Sequence, residues 1–370
     1  MIDAKQFIKE LKKIDINFFC GVPDSLMSEF SKSLHFDFDD ENHIISTNEG
    51  SAISTAMGYY LSSSKIPLVY MQNSGLGNFI NPYTSLLNKE VYDIPFILLV
   101  GWRGEPKSKD EPQHVFQGKI TLNLLELLEI NYLIIDSNST VKEIIKKIEI
   151  AINNGKQLAL VIRKNTFKKD QRMFEINSHL PKRKDALKAI IQIFSTDSIF
   201  ISTTGKLSRE LYELRKENNK EYDDLYVVGG MGHASSISLG VLQNIKNKNV
   251  VCLDGDGSLL MHLGSLGLFG EKTYKNFYHV VFNNSSHESV GGQPNIYINL
   301  DRDRLYKSLG YKSFFKFSEL DNLKNIHLNK INRPTLIEIS VQNSSSADLI
   351  RPETPPINNK IKFMKKIKQI

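Results

Sequence analysis

Two short sets of residues, Gly255-Asp256-Gly257 and Asn283-Asn284, have the types and spacing that chemistry would need. Each closes an apolar run, and Asp256 and Asn284 lie 28 positions apart. NVVCLDGDGS reads as a buried strand stopping at a turn. Its glycines let the backbone approach a diphosphate, and Asp256 offers a carboxylate oxygen to Mg²⁺. FYHVVFNNSS reads as a second such strand, whose end offers the Asn284 amide oxygen and, two residues on, the Ser286 backbone carbonyl. Oxygen donors of this kind suit a hard divalent cation whose other positions go to diphosphate oxygens and water. A lone GDG turn or Asn pair is ordinary loop chemistry. The weight lies in finding both at strand ends, at this spacing.

A third candidate stands in the first half. In HIISTNEGSAISTAMGYY an apolar strand ends at Asn48-Glu49-Gly50 and a helix of small residues begins. Taken alone, Glu49 is an acid complementing a helix dipole, worth about 0.3–1 kcal/mol. Positioning these groups requires strands that end where helices begin, and the chain supplies them. Over residues 1–165 the runs INFFCGV, HIIST, PLVYMQ, IPFILLV, YLIID and QLALVI alternate with helical patterns such as TLNLLELLEI and VKEIIKKIEIAINN. Alternation of this kind predicts an α/β fold, a mostly parallel sheet covered by helices. A polar, lysine-rich stretch reads as a linker over 166–185, and the pattern restarts over 186–370 with SIFIS, LYVVGG, NVVCLDG, FYHVVFNN and PTLIEIS, ending in a basic tail helix.

Length agrees with two domains, since 370 residues with 41% apolar content support two cores of about 150–200 residues each. The net charge of +6 is spread over scattered lysines, which argues against nucleic-acid binding. Cys20 and Cys252 lie far apart in apolar runs, as buried free thiols in a reducing compartment would. No apolar run approaches membrane-spanning length, and the N-terminus lacks a secretory core. A cytoplasmic protein without membrane association is expected.

The GDG and NN pairing together with the NEG context resembles the thiamine diphosphate-dependent enzymes. That resemblance implies a pyrimidine-binding domain and a diphosphate-binding domain, here without room for a central third. It implies that Glu49 hydrogen-bonds N1′ of the cofactor's aminopyrimidine and that Asp256, Asn284 and Ser286 hold Mg²⁺, with Gly255 and Gly257 beside the diphosphate. In LYVVGGMGHASSISLG, a carbonyl near Gly229 would accept from the 4′-amino group, and Met231 falls at the position of the apolar wedge that bends the cofactor. In SIFISTTGKLSREL, Thr204 and Gly205 open a helix whose N–H groups suit phosphate. Lys206 reads more simply as a solvated helix-end lysine. The family shares its site between subunits, so at least a homodimer is implied.

FFCGVPDSLM, MQNSGLGNFINPYTSL, GWRGEPKSKDEPQHVFQGKIT and NNSSHESVGGQPN carry the resemblance further, to the decarboxylases acting on 2-oxo acids that bear a second anion. It implies conversion of phosphonopyruvate to phosphonoacetaldehyde and CO₂. Sulfopyruvate decarboxylation and a non-catalytic cofactor-binding subunit are the alternatives. A phosphonate needs its own clamp, for which Arg103, Lys109 and His114 are candidates, Arg103 with bidentate geometry and Lys109 as a point charge. Interspersed Glu105, Asp110 and Glu111 give the same loop a bland reading as a solvated mixed-charge segment. Asp24, His114 and His287 are candidates for proton transfer. Asp24 also reads as a helix N-cap. Glu288 and Ser285-Ser286 depart from the family's usual Asp and Gly-Ala.

Overall fold

Strands that read as continuous apolar runs need cover on both faces, and two such sheets form. The computed structural model describes residues 1–38, 40–194, 196–217, 224–272, 274–346 and 348–368. One unit comprises Met1–Phe174 with Ser289–Gln293, the other Glu175–Glu288 with Pro294–Ile370.

In the first unit, β1 (Phe19–Gly21), β2 (His43–Ile45), β3 (Leu68–Gln72), β4 (Ile97–Gly101), β5 (Asn131–Ile135) and β6 (Leu158–Ile162) form a six-stranded sheet in the order β2-β1-β3-β4-β6-β5. Every pairing is parallel. Alternation divides its side chains between two cores. Tyr70, Leu99 and Leu160 face one, and Val69, Leu98 and Val161 face the other. Helices close both sides: Glu49–Ser63 covers the second core through Ala52, Ile53 and Ala56, and two others cover the first. Ala4–Lys13, capped by Asp3, buries Phe7, Ile8 and Leu11. Val141–Asn153 begins at a reciprocal Thr140–Glu143 capping box and buries Ile144 and Ile148.

The second unit repeats the plan. β7 (Ile199–Ser202), β8 (Leu225–Tyr226), β9 (Val250–Gly255), β10 (Phe277–Asn283), β11 (Ser313–Phe317) and β12 (Thr335–Ser340) lie in the order β11-β12-β10-β9-β7-β8. They too are all parallel. The basic tail forms the helix Pro356–Lys368, which buries Asn359 and Phe363. Among the described residues there is no third domain. In parallel sheets all strand C-termini share one edge, where ligands of open α/β folds bind. In the second unit that edge carries the loops after β7, β8, β9 and β10.

Candidate active site

The register of β9 and β10 brings the two candidate metal-binding segments together. Gly255 pairs with Phe282, so Asp256 and Asn283 emerge side by side although 27 residues separate them in sequence. Asp256 begins the short helix Asp256–Met261 and is 3% exposed. Its carboxylate accepts the Asn295 amide N–H at 3.0 Å and backbone N–H groups of Gly257 and Ser285. Burial nevertheless pushes its pKa up to about 6. A buried carboxylate in that state lacks positive charge, which an oxygen-seeking cation would supply.

Asn283 and Asn284 have different tasks. The Asn283 amide donates to Glu338 Oε1 at 3.1 Å, while its oxygen accepts from Ser285 N–H and Oγ, both at 3.0 Å. This holds Ser285 in a left-handed turn, φ +54°. Asn284 donates its own N–H to Glu288 Oε2 at 3.2 Å and accepts from Ser286 N–H at Oδ1, 3.0 Å. Glu288 thus fixes which face of the amide is oxygen. Glu288 is fixed in turn by Arg183 at 2.7 Å and Lys206 at 3.0 Å, and Arg183 makes a bidentate pair with Glu210. Burial opposes the Glu288 charge, but Arg183 and Lys206 outweigh it and hold its pKa below the ordinary range. Lys206 is therefore an ion-pair partner, where the sequence reading had it solvated. Arg183 lay in no motif, and within NNSSHESVGGQPN Glu288 stood out only as a departure from the usual Asp and Asn295 not at all; their contacts with Arg183 and Asp256 join segments remote in sequence.

The other two loops are stitched to the same place. Ser258 Oγ lies 2.8 Å from Thr203 Oγ1 and accepts the Gly232 N–H at 3.0 Å. Thr204 Oγ1 donates to the Val228 carbonyl at 2.8 Å. Gly205, at φ +96° with open space beyond its Cα, leads into the helix Lys206–Glu217. Gly229 precedes a loop in which Gly230 and Gly232 both have positive φ, and Met231 between them is 36% exposed. A methionine serving only to pack a core would be buried. His287 is partly buried, close to Gly257, and burial lowers its pKa to about 4, so it is neutral near pH 7.

In the first unit Glu49 is the first residue of the helix Glu49–Ser63, capped by Asn48, and is 4% exposed. Its Oε2 accepts the Asn78 amide at 2.8 Å. Gly75 packs so closely that a Cβ there would lie 2.5 Å from Glu49 Oε1. Elsewhere in this unit Asp110 gathers a second cluster. It accepts Arg103 Nε at 2.8 Å and Nη2 at 2.5 Å, and lies 2.9 Å from His114 Nδ1. Arg103 Nη1 donates to Ser25 Oγ at 2.9 Å. Asp24 is fully buried and caps the turn Ser25–Met27 through Oδ2, and among the described residues its Oδ1 has no hydrogen-bond partner. Burial pushes its pKa up to about 6. Burial also lowers that of His114, against the pull of Asp110. Arg103, His114 and Asp24 are thus brought together, whereas Lys109 stands exposed on the loop. Asp110 was passed over because, in sequence, it is one acid among several.

Residues 3–126 match the family described as thiamine pyrophosphate enzyme, N-terminal TPP binding domain, and residues 203–339 its C-terminal TPP binding domain. The phosphonopyruvate decarboxylase of Streptomyces viridochromogenes is 30% identical over 96% of this chain and 92% of its own. That of Streptomyces hygroscopicus shows the same identity and coverage. The sulfopyruvate decarboxylase subunit beta of Methanocaldococcus jannaschii is 34% identical over 51% of this chain and 98% of its own. The chain belongs to the thiamine diphosphate-dependent decarboxylase family represented by the two Streptomyces enzymes. Thiamine diphosphate is its cofactor, and the oxygen-only donor set at Asp256, Asn284 and Ser286 fits the accompanying Mg²⁺.

Two outcomes test the metal loop. The folded pKa of Asp256 lies above the unfolded value of about 3.9. The folded state therefore holds more protons in between, and without metal stability is lost as pH rises from the unfolded value through about 6. At neutral pH Asp256→Asn should abolish the rise in melting temperature that Mg²⁺ with thiamine diphosphate gives the parent protein. An Asn variant as responsive to Mg²⁺ as the parent would refute the assignment. Glu288→Gln should weaken Mg²⁺ binding about 10–100-fold in calorimetric titration with cofactor present; unchanged affinity would remove Glu288 from orienting Asn284.

Proposed function

We infer that the protein converts 3-phosphonopyruvate to phosphonoacetaldehyde and CO₂, for phosphonate biosynthesis in the cytoplasm. The observation carrying this reading is the near full-length similarity to two phosphonopyruvate decarboxylases, against 51% coverage by the beta subunit of the M. jannaschii sulfopyruvate decarboxylase and 67% by the sulfopyruvate decarboxylase of Methanosarcina acetivorans. Two free, buried cysteines agree with a reducing compartment. Among the described residues no helix is long and apolar enough to cross a membrane.

The first unit is the pyrimidine-binding domain and the second the diphosphate-binding domain. Bound thiamine diphosphate supplies the electron sink for the pair left behind as CO₂ departs. Glu49, desolvated and oriented by Asn78, manages the proton at N1′ of the aminopyrimidine. Asp256, Asn284 and the Ser286 carbonyl would hold Mg²⁺. Thr204, Gly205, Gly255 and Gly257 would give the diphosphate close backbone approach, and the Gly229 carbonyl with Met231 would meet the rest of the cofactor. His287, neutral near pH 7, is suited to accepting a hydrogen bond or a proton. Asp24 is suited to carrying a proton, since its pKa of about 6 leaves both forms accessible.

Arg103 is the phosphonate ligand. Two of its N–H groups are fixed on Asp110 and one on Ser25, and the second N–H on each of Nη1 and Nη2 remains to grip a planar pair of anion oxygens. His114 supports Arg103 by sharing Asp110, and Lys109 adds charge at the rim. The panel that tests this offers phosphonopyruvate, sulfopyruvate and pyruvate to the wild-type enzyme and to Arg103→Ala, following CO₂ and aldehyde. Wild type should prefer phosphonopyruvate, and the variant should lose most of that preference through KM. Selectivity for sulfopyruvate would keep the chemistry and replace the substrate, and equal losses on all three acids would remove Arg103 from anion recognition.

The protein acts as a homo-oligomer in which Glu49 of one subunit serves the metal loop of another. The sulfopyruvate decarboxylases of M. jannaschii and Methanococcus maripaludis, whose alpha and beta subunits are separate chains, support it. Glu49→Gln and Asp256→Asn should each be inactive alone. Co-refolded in equal amounts, they should recover about a quarter of wild-type activity, because half of the dimers are mixed and each mixed dimer has one intact site. No recovery would place both groups of a site on one chain.

A further inference from the structure

One face of the second unit's sheet carries a buried polar cluster that decarboxylation does not use. Cys252 and Asp254 are two residues apart on β9 and so project from the same face. His279 on β10 stands in register opposite Cys252. All three are buried. A sulfur, a carboxylate oxygen and an imidazole nitrogen, one from each, lie within 4.8 Å of one another. Asp254 Oδ1 accepts the Gly255 N–H at 3.0 Å, and His279 Nδ1 lies 2.8 Å from the Tyr311 hydroxyl. The remaining two atoms, Asp254 Oδ2 and His279 Nε2, face each other at 3.4 Å, and among the described residues neither has a hydrogen-bond partner. Leaving buried polar atoms unpaired costs about 1–3 kcal/mol each, so a missing partner has to be found.

We propose that Cys252, Asp254 and His279 form a second metal site, for a zinc-class divalent ion, separate from the Mg²⁺ loop and structural in role. The separation is the first argument. With metal–ligand bonds of about 2.0–2.2 Å to nitrogen and oxygen, adjacent ligands of a tetrahedral ion stand about 3.3–3.5 Å apart. The 3.4 Å gap has that length. Charge is the second. Thiolate, carboxylate and neutral imidazole total two negative charges, so a divalent ion leaves the buried site neutral. A coordinated thiol is deprotonated outright, and binding releases its proton to solvent. The third is the outer partner. A zinc-bound histidine passes its other ring N–H to a neighbouring acceptor, and Tyr311 is placed to receive it from His279. Thiolate and imidazole select zinc over magnesium. The Ser238 hydroxyl, hydrogen-bonded to Cys252, is the group at hand for a fourth position. Bound there, the ion would clamp β9 to β10 just below the ends that carry Asp256 and Asn284.

The test measures metal in the untagged wild-type protein, produced with Zn²⁺ supplied and dialysed free of Mg²⁺ and thiamine diphosphate. About one Zn²⁺ per chain should remain. Protein refolded with Co²⁺ should show the near-ultraviolet thiolate-to-cobalt band. Cys252→Ser should lose the band, while Cys20→Ser, altering the chain's other thiol, should keep it. Asp256→Asn should retain zinc, so failure of the catalytic assignments would not disturb the result. No retained zinc and no cobalt band, even when folding occurs in excess metal, would overturn the proposal and leave a proton as the link between Asp254 and His279. A band that survives Cys252→Ser would overturn it equally.

Discussion

The parallel register that sets Gly255 beside Phe282 is the constraint on which the rest of the active-site architecture depends. Neighbouring strands lie about 4.8 Å apart. Two loops leaving such strands at the same height have to share a small volume, and here they fill it with oxygen. A shift of one residue would turn every side chain of one strand to the opposite face. Val281 and Phe282 would exchange cores, and Asn284 would leave the Asp256 side. The apolar packing on both faces of β10 therefore enforces the geometry of the metal loop.

Both units solve the problem of buried charge with a hub carboxylate that touches several donors. In the second unit Glu288 collects Asn284, Arg183 and Lys206. In the first, Asp110 collects Arg103, His114 and the Gly104 N–H. For Asp110, burial raises the pKa but the hydrogen bonds from Arg103 and His114 outweigh it, and the carboxylate stays ionised. An arginine held at two points loses little further freedom when a ligand arrives, which is how preorganisation favours anion binding. Asp24 and Asp256 differ in kind. In both, burial dominates and raises the pKa to about 6, against the nearby Arg103 charge for Asp24 and against hydrogen bonds from Asn295 and backbone N–H groups for Asp256.

The sequence made the frame legible because periodicity and strand-end motifs are local. The buried runs became strands, and Asp256, Asn284 and Glu49 stand at the starts of loops or helices as their flanking residues require. The supporting contacts were not legible. Glu288 reaches Arg183 across 105 residues, and Asn295 returns to Asp256 across 39. Asp110 is near Arg103 in sequence, but alternating charges read as a solvated loop until the backbone shows which of them turn inward. Ser258 was hidden differently: its residue type is unremarkable for a helix start, and only the positions of Thr203 and Gly232 give it a task.

Glu338 shows how far this support extends. It is wholly buried on β12 and bonds Asn283 through one oxygen and Tyr297 through the other. Arg302 pairs with the second oxygen at 3.1 Å and also donates to the Tyr297 carbonyl. The charge is thus neutralised by a group that belongs to the segment following the metal loop. A carboxylate is needed because an amide would set N–H groups against the donors on one side, either Asn283 or Tyr297 and Arg302, and would leave Arg302 without a counter-charge. Asn283, which in sequence reads as half of a metal-binding pair, is instead the joint through which this buried ion pair holds the Ser285 turn, and Asn284 is the member of the pair left for the proposed metal role.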